Sequence, residues 1–284
     1  MFFRSFFALI PLLIWLRWQD TFINSIRTQN IMGHFWRSFL GSLSMMASFS
    51  ALYYLPLQDA VALGYTSPLL LVIFAVIFLK EKVRIYRWSA VIIGLFGVLI
   101  MLAPHLGILS LKNLEHDTSA AFGALLVIIS AAFTAGAGIQ IRHLTKTERV
   151  GAIVFYFSSF SSLFALLSFP IGYLGFPQLA WHMPDQGDFL IFLGAGVCGG
   201  IAQIFLTSSY AHADASIVAP FEYTSMIWAL IIGYFIFGDA PTPTILLGGL
   251  IVASTGIFII WREHKLGLIR LGEAKTSSKN PHSQ

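Results

Sequence analysis

Charged side chains make up only 11% of the 284 residues, where a soluble globular domain carries roughly a quarter. That scarcity excludes an ordinary water-soluble fold. Cysteine is almost absent as well. Cys198 is the single one, so no intramolecular disulfide can form, and within "LGAGVCGG" it reads as a small packing residue. No polar stretch long enough for a soluble domain separates the apolar runs, and no Walker-type phosphate loop occurs, which argues against nucleotide-driven work. The eight histidines, His34, His105, His116, His143, His182, His212, His264 and His282, fall in loops, at span ends or in the tail. No constellation of His, Asp and Ser at one depth suggests catalysis, and no helical pair suggests a metal. No catalytic residue, metal or cofactor is therefore expected, and the chain does not read as an enzyme.

What the chain has in abundance is apolar surface: 57% hydrophobic residues and a mean hydropathy of +0.78. Lipid cannot satisfy backbone polar groups, so long apolar runs are read as helices of about 20 residues; they lack the alternation of barrel strands. Nine transmembrane helices are predicted, at 2–18, 36–56, 60–79, 88–104, 119–141, 150–175, 188–210, 215–237 and 243–261. The fold class is an all-α polytopic membrane protein, in contact with membrane lipid. A secretory signal peptide competes for "MFFRSFFALIPLLIWLRWQD", but no small-x-small cleavage site follows. The tail, 262–284, is expected to be cytoplasmic, and disordered from about Glu273 in "EAKTSSKNPHSQ".

Of the 17 Lys and Arg, fifteen fall on alternate breaks and the tail. Arg17, Arg27 and Arg37 flank the first break, Lys80, Lys82, Arg84 and Arg87 the third, and Arg142, Lys146 and Arg149 the fifth; Arg262, Lys265, Arg270, Lys275 and Lys279 lie in the tail. By the positive-inside rule these loops and the C-terminus face the cytoplasm of a multi-pass inner-membrane protein. The formal charge of +4 is thus a matter of topology, and no nucleic-acid partner is implied.

The chain repeats itself. "GYTSPLLLVIFAVIFLKE" (64–81) and "EYTSMIWALIIGYFIFGD" (222–239) share Tyr-Thr-Ser at a spacing of 223 − 65 = 158, and Glu81 and Asp239 recur at 239 − 81 = 158. The first copy lies in the third span and the second in the eighth. An odd separation makes the helices antiparallel, so the repeat is inverted, as in many secondary transporters. A five-helix unit assigns 119–261 to a complete second repeat and 1–104 to a first repeat of four helices. The first helix of such a unit is then absent, and in-frame codons upstream are expected to encode it.

The stretch "ADASIVAPFEYTSMIWALIIGYFIFGDAPTP" (213–243), with "FFRSFFAL", "FWRSFLG" and "VALGYTSPLLLVIFAVIFLKEKV", resembles the drug/metabolite transporter superfamily, in its ten-helix branch built from two EamA domains. The resemblance implies a ten-helix fold with both termini cytoplasmic, against which the chain lacks the first helix. It also implies secondary transport of a small organic molecule by alternating access. The members that the chain resembles include riboflavin-uptake and S-adenosylmethionine-uptake carriers, with amino-acid and drug exporters further away. Riboflavin or a similar planar heteroaromatic is the favoured substrate; S-adenosylmethionine or an amino acid is the alternative. A non-transporting membrane assembly protein derived from such a carrier is a separate alternative. The sequence specifies no oligomeric state.

Charge inside a bilayer usually faces a cavity. Glu222, after Pro220, is the one acid read well inside a span, either as a proton-coupling or cation-recognising carboxylate or as structural glue to Arg4. Arg4 is the other charge and a candidate for an anionic group. Tyr65, Thr66, Tyr223 and Thr224 offer hydroxyls at repeat-matched places, to substrate or to neighbouring helices. Gln140 and Gln203 are buried amides of the same two kinds. Trp228 and Phe221 could stack on a planar ligand, whereas Trp36, Tyr53 and Tyr54 read as an interfacial belt. Glu81 and Asp239 read as helix-end anchors. The glycines of "LGAGVCGGIAQ", with Gly94 and Gly97, read as close-packing positions.

Overall fold

The computed structural model describes residues 1–18, 26–80, 85–102, 118–170, 181, 184–218, 222, 224–238 and 242–279. Among them every regular element is a helix. In chain order these are α1 (Phe2–Phe7), α2 (Leu9–Trp18), α3 (Ile31–Ala51), α4 (Leu57–Gly64), α5 (Thr66–Leu79) and α6 (Ile85–Leu102). There follow α7 (Thr118–Leu144), α8 (Val150–Leu167), α9 (Gln186–His212), α10 (Ala215–Val218), α11 (Thr224–Phe237) and α12 (Pro243–Lys279). Among the described residues, four segments are long and apolar enough to cross a membrane: Asp59–Leu79, Ser119–Leu144, Val150–Leu167 and Gln186–His212. Large apolar side chains such as Phe205, Phe235, Ile236 and Leu250 are exposed on the outside of the bundle, where lipid is the fitting solvent.

Helix α3 corrects the sequence reading. It starts at Ile31, five residues ahead of the predicted span, because Asn30 caps it by accepting from the Gly33 N–H at 2.9 Å. His34 and Arg37, expected at the cytoplasmic flank, are therefore inside the helix and buried, 0% and 3% exposed. A hydropathy reading starts a span where polar residues thin out, and α3 turns its polar residues to the protein interior instead of to water.

The predicted span 60–79 is two helices meeting at Tyr65. Pro68 supplies the reason, since a continuous helix would need its absent N–H to bond the Gly64 carbonyl. Helix α5 starts at Thr66 and ends at Leu79, and α11 starts at Thr224 and ends at Phe237; each has 14 residues. Both pairs of ends differ by 158. Each helix is followed by a left-handed residue, Lys80 at φ 53° and Gly238 at φ 71°, again 158 apart, so the sequence repeat extends to the backbone at the helix ends. Glu81 and Asp239, which follow them, lie outside the described residues. At the other end of the chain, α12 continues as helix through Lys279, past Glu273, where disorder was expected; residues 262–279 are rich in Leu, Lys, Arg, Glu and Ala, which favour helix.

Packing brings the parts of the chain together. Helix α7 lies along α3 and α5, α8 packs on α3, and α1 sits against α8 and α9. One apolar core joins Leu63, Met101, Val127 and Ile245; a second joins Leu71, Ala135, Ile139 and Tyr210; a third joins Leu12, Leu16, Val154 and Ile204. Helices α6 and α12 touch backbone to backbone. A Cβ on Gly97 would lie 2.8 Å from the Gly248 carbonyl oxygen, and one on Gly248 2.5 Å from that of Gly97, so only glycine permits the approach.

Candidate functional site

Three helices turn one polar or small-residue stripe each toward a common space. On α3 the stripe is Arg37, Gly41, Ser44, Met45 and Ser48, and on α7 it is Ser130, Thr134, Ala137, Gly138 and Ile141. Both follow the spacing i, i+4, i+7, i+8, i+11, one face of a helix. Helix α9 adds Gln203, Leu206 and Tyr210, α1 adds Arg4, α8 adds Phe157, and Glu222 enters ahead of α11. Together they enclose a cavity of about 300 Å³, at the small end of ligand sites.

The floor of the cavity is a hydroxyl cluster. Ser44 and Ser130 exchange hydrogen bonds, Ser44 Oγ donating to the Ser130 carbonyl at 3.0 Å and Ser130 Oγ to the Ser44 carbonyl at 2.9 Å; Thr134 shares a further bond with Ser44. This holds α3 to α7 without leaving hydroxyls unpaired in an apolar bundle.

Arg37 donates from Nη2 to Gln203 Oε1 at 2.9 Å, and its guanidinium lies 3.4 Å from the centroid of the Phe157 ring, a cation–π contact. Gly41 makes room for both: a Cβ there would come within 2.8 Å of Arg37 Nη1 and of Phe157 Cε2. Arg4 donates to Met45 Sδ at 3.1 Å. The Tyr210 side chain and the Glu222 carboxylate line the same cavity. Among the described residues the close ion pairs are Arg142–Asp214 at 2.6 Å and His34–Glu148 at 3.9 Å, so Arg4 and Glu222 line one cavity without joining each other.

Of the residues singled out from sequence, Arg4, Gln203 and Glu222 meet in this cavity. Tyr65 stands behind it: its hydroxyl hydrogen-bonds Ser225 Oγ at 3.0 Å, and Ser225 donates to the Glu222 carbonyl at 2.7 Å. Thr66 is engaged by the backbone, donating to the Leu63 carbonyl at 2.7 Å. Gln140 lines a different groove, with Gly33, Phe78 and His143. Trp228 is 65% exposed on the outside of the bundle, as are Trp36 and Tyr53. Tyr223 and Phe221 lie outside the described residues, and of Thr224 only its place as the first residue of α11 is described.

Sequence reasoning missed Arg37 and Tyr210. The stripe from Arg37 to Ser48 was visible in the sequence, at helical spacing within an apolar run; it was lost because Arg37, at the start of the predicted span 36–56, was counted as a charge flanking the first break. Tyr210 was read only as the end of the seventh span.

At one end of the bundle two further clusters tie helices together. Glu148 Oε1 accepts from Thr28 Oγ1 at 2.9 Å and from the N–H groups of Gln29 and Asn30 at 3.0 and 3.2 Å. Arg142 binds Asp214 and also donates from Nη1 to the Tyr210 carbonyl at 2.8 Å. Tyr210 thus lines the cavity with its side chain and meets Arg142 through its backbone.

Comparison with known proteins agrees with a carrier architecture. A riboflavin transporter of Vibrio cholerae serotype O1 is 31% identical over 243 residues, 85% of this chain and 75% of the relative. An S-adenosylmethionine uptake transporter of Rickettsia conorii is 27% identical over 264 residues, 93% of this chain and 83% of the relative. A pseudopaline exporter of Pseudomonas aeruginosa is 28% identical over 252 residues, 88% and 81% of the two chains. A solved crystal structure superposes with a TM-score of 0.65 at 16% identity, covering 91% of this chain and 86% of the other, a likeness of fold alone. Residues 1–103 and 121–262 both match one family, so the polar cavity is built within a known transporter framework, and the chain belongs to the EamA-like transporter family.

Proposed function

We propose that this chain is an inner-membrane secondary carrier of a small organic metabolite, not an enzyme, and that it alternates access around the cavity of Arg4, Arg37, Gln203, Tyr210 and Glu222. The observation that carries the reading is the composition of that cavity. Buried charges of both signs are expensive in a bilayer protein and mark substrate or ion paths, and here Arg4 and Arg37 come from the first half of the chain while Gln203, Tyr210 and Glu222 come from the second.

Two halves in inverted repeat, with nine spans and a cytoplasmic C-terminus, complete the proposal. The matched 14-residue helices α5 and α11 support it. Glu222 is assigned proton coupling. A planar heteroaromatic such as riboflavin is one candidate substrate, suggested by the Vibrio cholerae relative. S-adenosylmethionine or an amino acid is the second, with a carboxylate that the Arg4 and Arg37 guanidiniums could receive.

The test is uptake of labelled riboflavin, S-adenosylmethionine and amino acids by proteoliposomes holding the purified full chain, with and without an imposed proton gradient. Saturable, gradient-sensitive uptake of one of them supports the reading. Well-folded protein that moves none of them, in either direction, points to a non-transporting role and overturns it.

A further inference from the structure

Arg37 is held as though part of its binding capacity were reserved. Of its three side-chain nitrogens, Nη2 bonds Gln203, while Nε and Nη1 are buried and, among the described residues, have no hydrogen-bond partner. A buried charged donor left without an acceptor is costly. The guanidinium is also fixed in place, by Phe157 beneath it and by the space that Gly41 leaves. Arg4 adds a second cation to the same cavity, and its described partner is a thioether sulfur, a weak acceptor. Among the described lining residues the one carboxylate is Glu222. With both arginines and Glu222 ionised, two positive charges face one negative charge, and the cavity is one anion short of neutrality.

We infer that the molecule taken up by this cavity carries a compact oxyanion, a carboxylate or a phosphate, which is held between the Arg37 and Arg4 guanidiniums. Guanidinium N–H groups donate charge-assisted hydrogen bonds to the oxygens of such a group. The inference rests on the cavity being the substrate site and narrows the substrate class. Riboflavin is uncharged at neutral pH, whereas S-adenosylmethionine and amino acids carry a carboxylate, and riboflavin 5′-phosphate carries a phosphate.

Matched pairs of probes isolate the oxyanion. Binding to the full chain in nonionic detergent without added lipid, which leaves no lipid headgroup as a source of phosphate, is measured for riboflavin 5′-phosphate against riboflavin, S-adenosylmethionine against its methyl ester, and phenylalanine against its amide. In at least one pair the anionic member should bind about tenfold to a hundredfold tighter, the range expected of charge-assisted hydrogen bonds; which pair responds separates carboxylate from phosphate. Arg37→Gln should abolish that preference, Arg4→Gln should reduce it, and Arg37→Lys should keep part of it. A merely structural arginine would lower the unfolding midpoint and leave the preference untouched. Absence of a preference in all three pairs overturns the inference, as does a preference that survives Arg37→Gln. If Arg37→Gln does not fold, an undiminished preference in both Arg37→Lys and Arg4→Gln overturns it. Uptake by proteoliposomes is followed in parallel. Arg37-dependent preference without uptake sinks the transport reading alone, and uptake indifferent to the oxyanion sinks this inference alone.

Discussion

Replacing Glu222 by glutamine separates coupling from architecture. The amide keeps the shape and still offers an oxygen to donors of the cavity it lines, such as the Tyr210 hydroxyl. What is lost is the difference between a hydrogen bond to a charged group, about 1.5–3 kcal/mol, and a neutral one, about 0.5–1.5 kcal/mol. Stability should therefore fall by about 1 kcal/mol. Were Glu222 bound to Arg4 as a buried ion pair, the loss would be about 3–5 kcal/mol, and Arg4→Gln would partly restore it. Function should change far more. One charge moved through about 100 mV corresponds to about 2.3 kcal/mol, which at 1.4 kcal/mol per tenfold supports roughly fiftyfold accumulation. In proteoliposomes with an imposed potential and pH gradient, Glu222→Gln should bring accumulation down to equilibration while exchange of internal for external substrate persists. Undiminished, pH-dependent accumulation by the variant would refute the coupling role, and a stability loss rescued by Arg4→Gln would refute the geometry.

Other expectations follow from particular contacts. Gln203→Leu removes the acceptor of Arg37 Nη2 and should cost about 1.5–3 kcal/mol in unfolding free energy, whereas Trp228→Ala on the exposed outer face should stay within about 0.5 kcal/mol and transport normally. Gly97→Ala places a methyl 2.8 Å from the Gly248 carbonyl oxygen and should destabilise by about 1–3 kcal/mol, read as a lower unfolding midpoint; an unchanged midpoint would deny the backbone contact between α6 and α12. In a background with Cys198 replaced, cysteines at Thr28 and Lys146 should resist impermeant thiol reagents in intact cells while one at Gln186 reacts, and the reverse pattern would invert the proposed orientation.

The helices were legible because lipid leaves few alternatives: α6, α7 and α9 fall within three residues of the spans read from hydropathy. Where the reading failed, it failed at helices that serve the site. Helix α3 has serines, a histidine and an arginine facing inward, so its first turn, 31–35, was left outside the predicted span and Arg37 was counted as a topology signal. Helices α4 and α5 were read as one, although Pro68 sits where the break requires it. Arg4, Glu222 and Gln203 were found because a charge or amide within an apolar run needs a partner. That Gln203 binds Arg37, or that Tyr210 shares a cavity with Glu222, depends on which helices pack together, and a single sequence does not encode that in any local pattern.

The repeated Tyr-Thr-Ser has a structural use that joins the two copies. Tyr65 belongs to the first copy and is 4% exposed; its hydroxyl bonds Ser225 Oγ of the second copy, and Ser225 in turn donates to the Glu222 carbonyl. The tyrosine of one copy therefore holds the serine of the other, and through it the backbone of Glu222. Under the proposed pseudo-two-fold the matching contact would run from Tyr223 to Ser67, since 65 + 158 = 223 and 225 − 158 = 67. Tyr223 lies outside the described residues, but Ser67 is buried at the start of α5. Tyr65→Phe deletes one hydroxyl from a buried position and should cost about 0.5–1.5 kcal/mol, with a larger relative effect on uptake than on unfolding because the Glu222 backbone loses its brace. Tyr223→Phe should lower the unfolding midpoint comparably but affect uptake less, since the residue matched to Glu222 in the first copy is Gly64, which has no carboxylate to position. Equal loss of uptake in both variants would mean that the brace supports the bundle as a whole and has no particular bearing on Glu222. No loss of stability in Tyr223→Phe would mean that the contact is made on one side only, and that the symmetry of sequence does not extend to this pair.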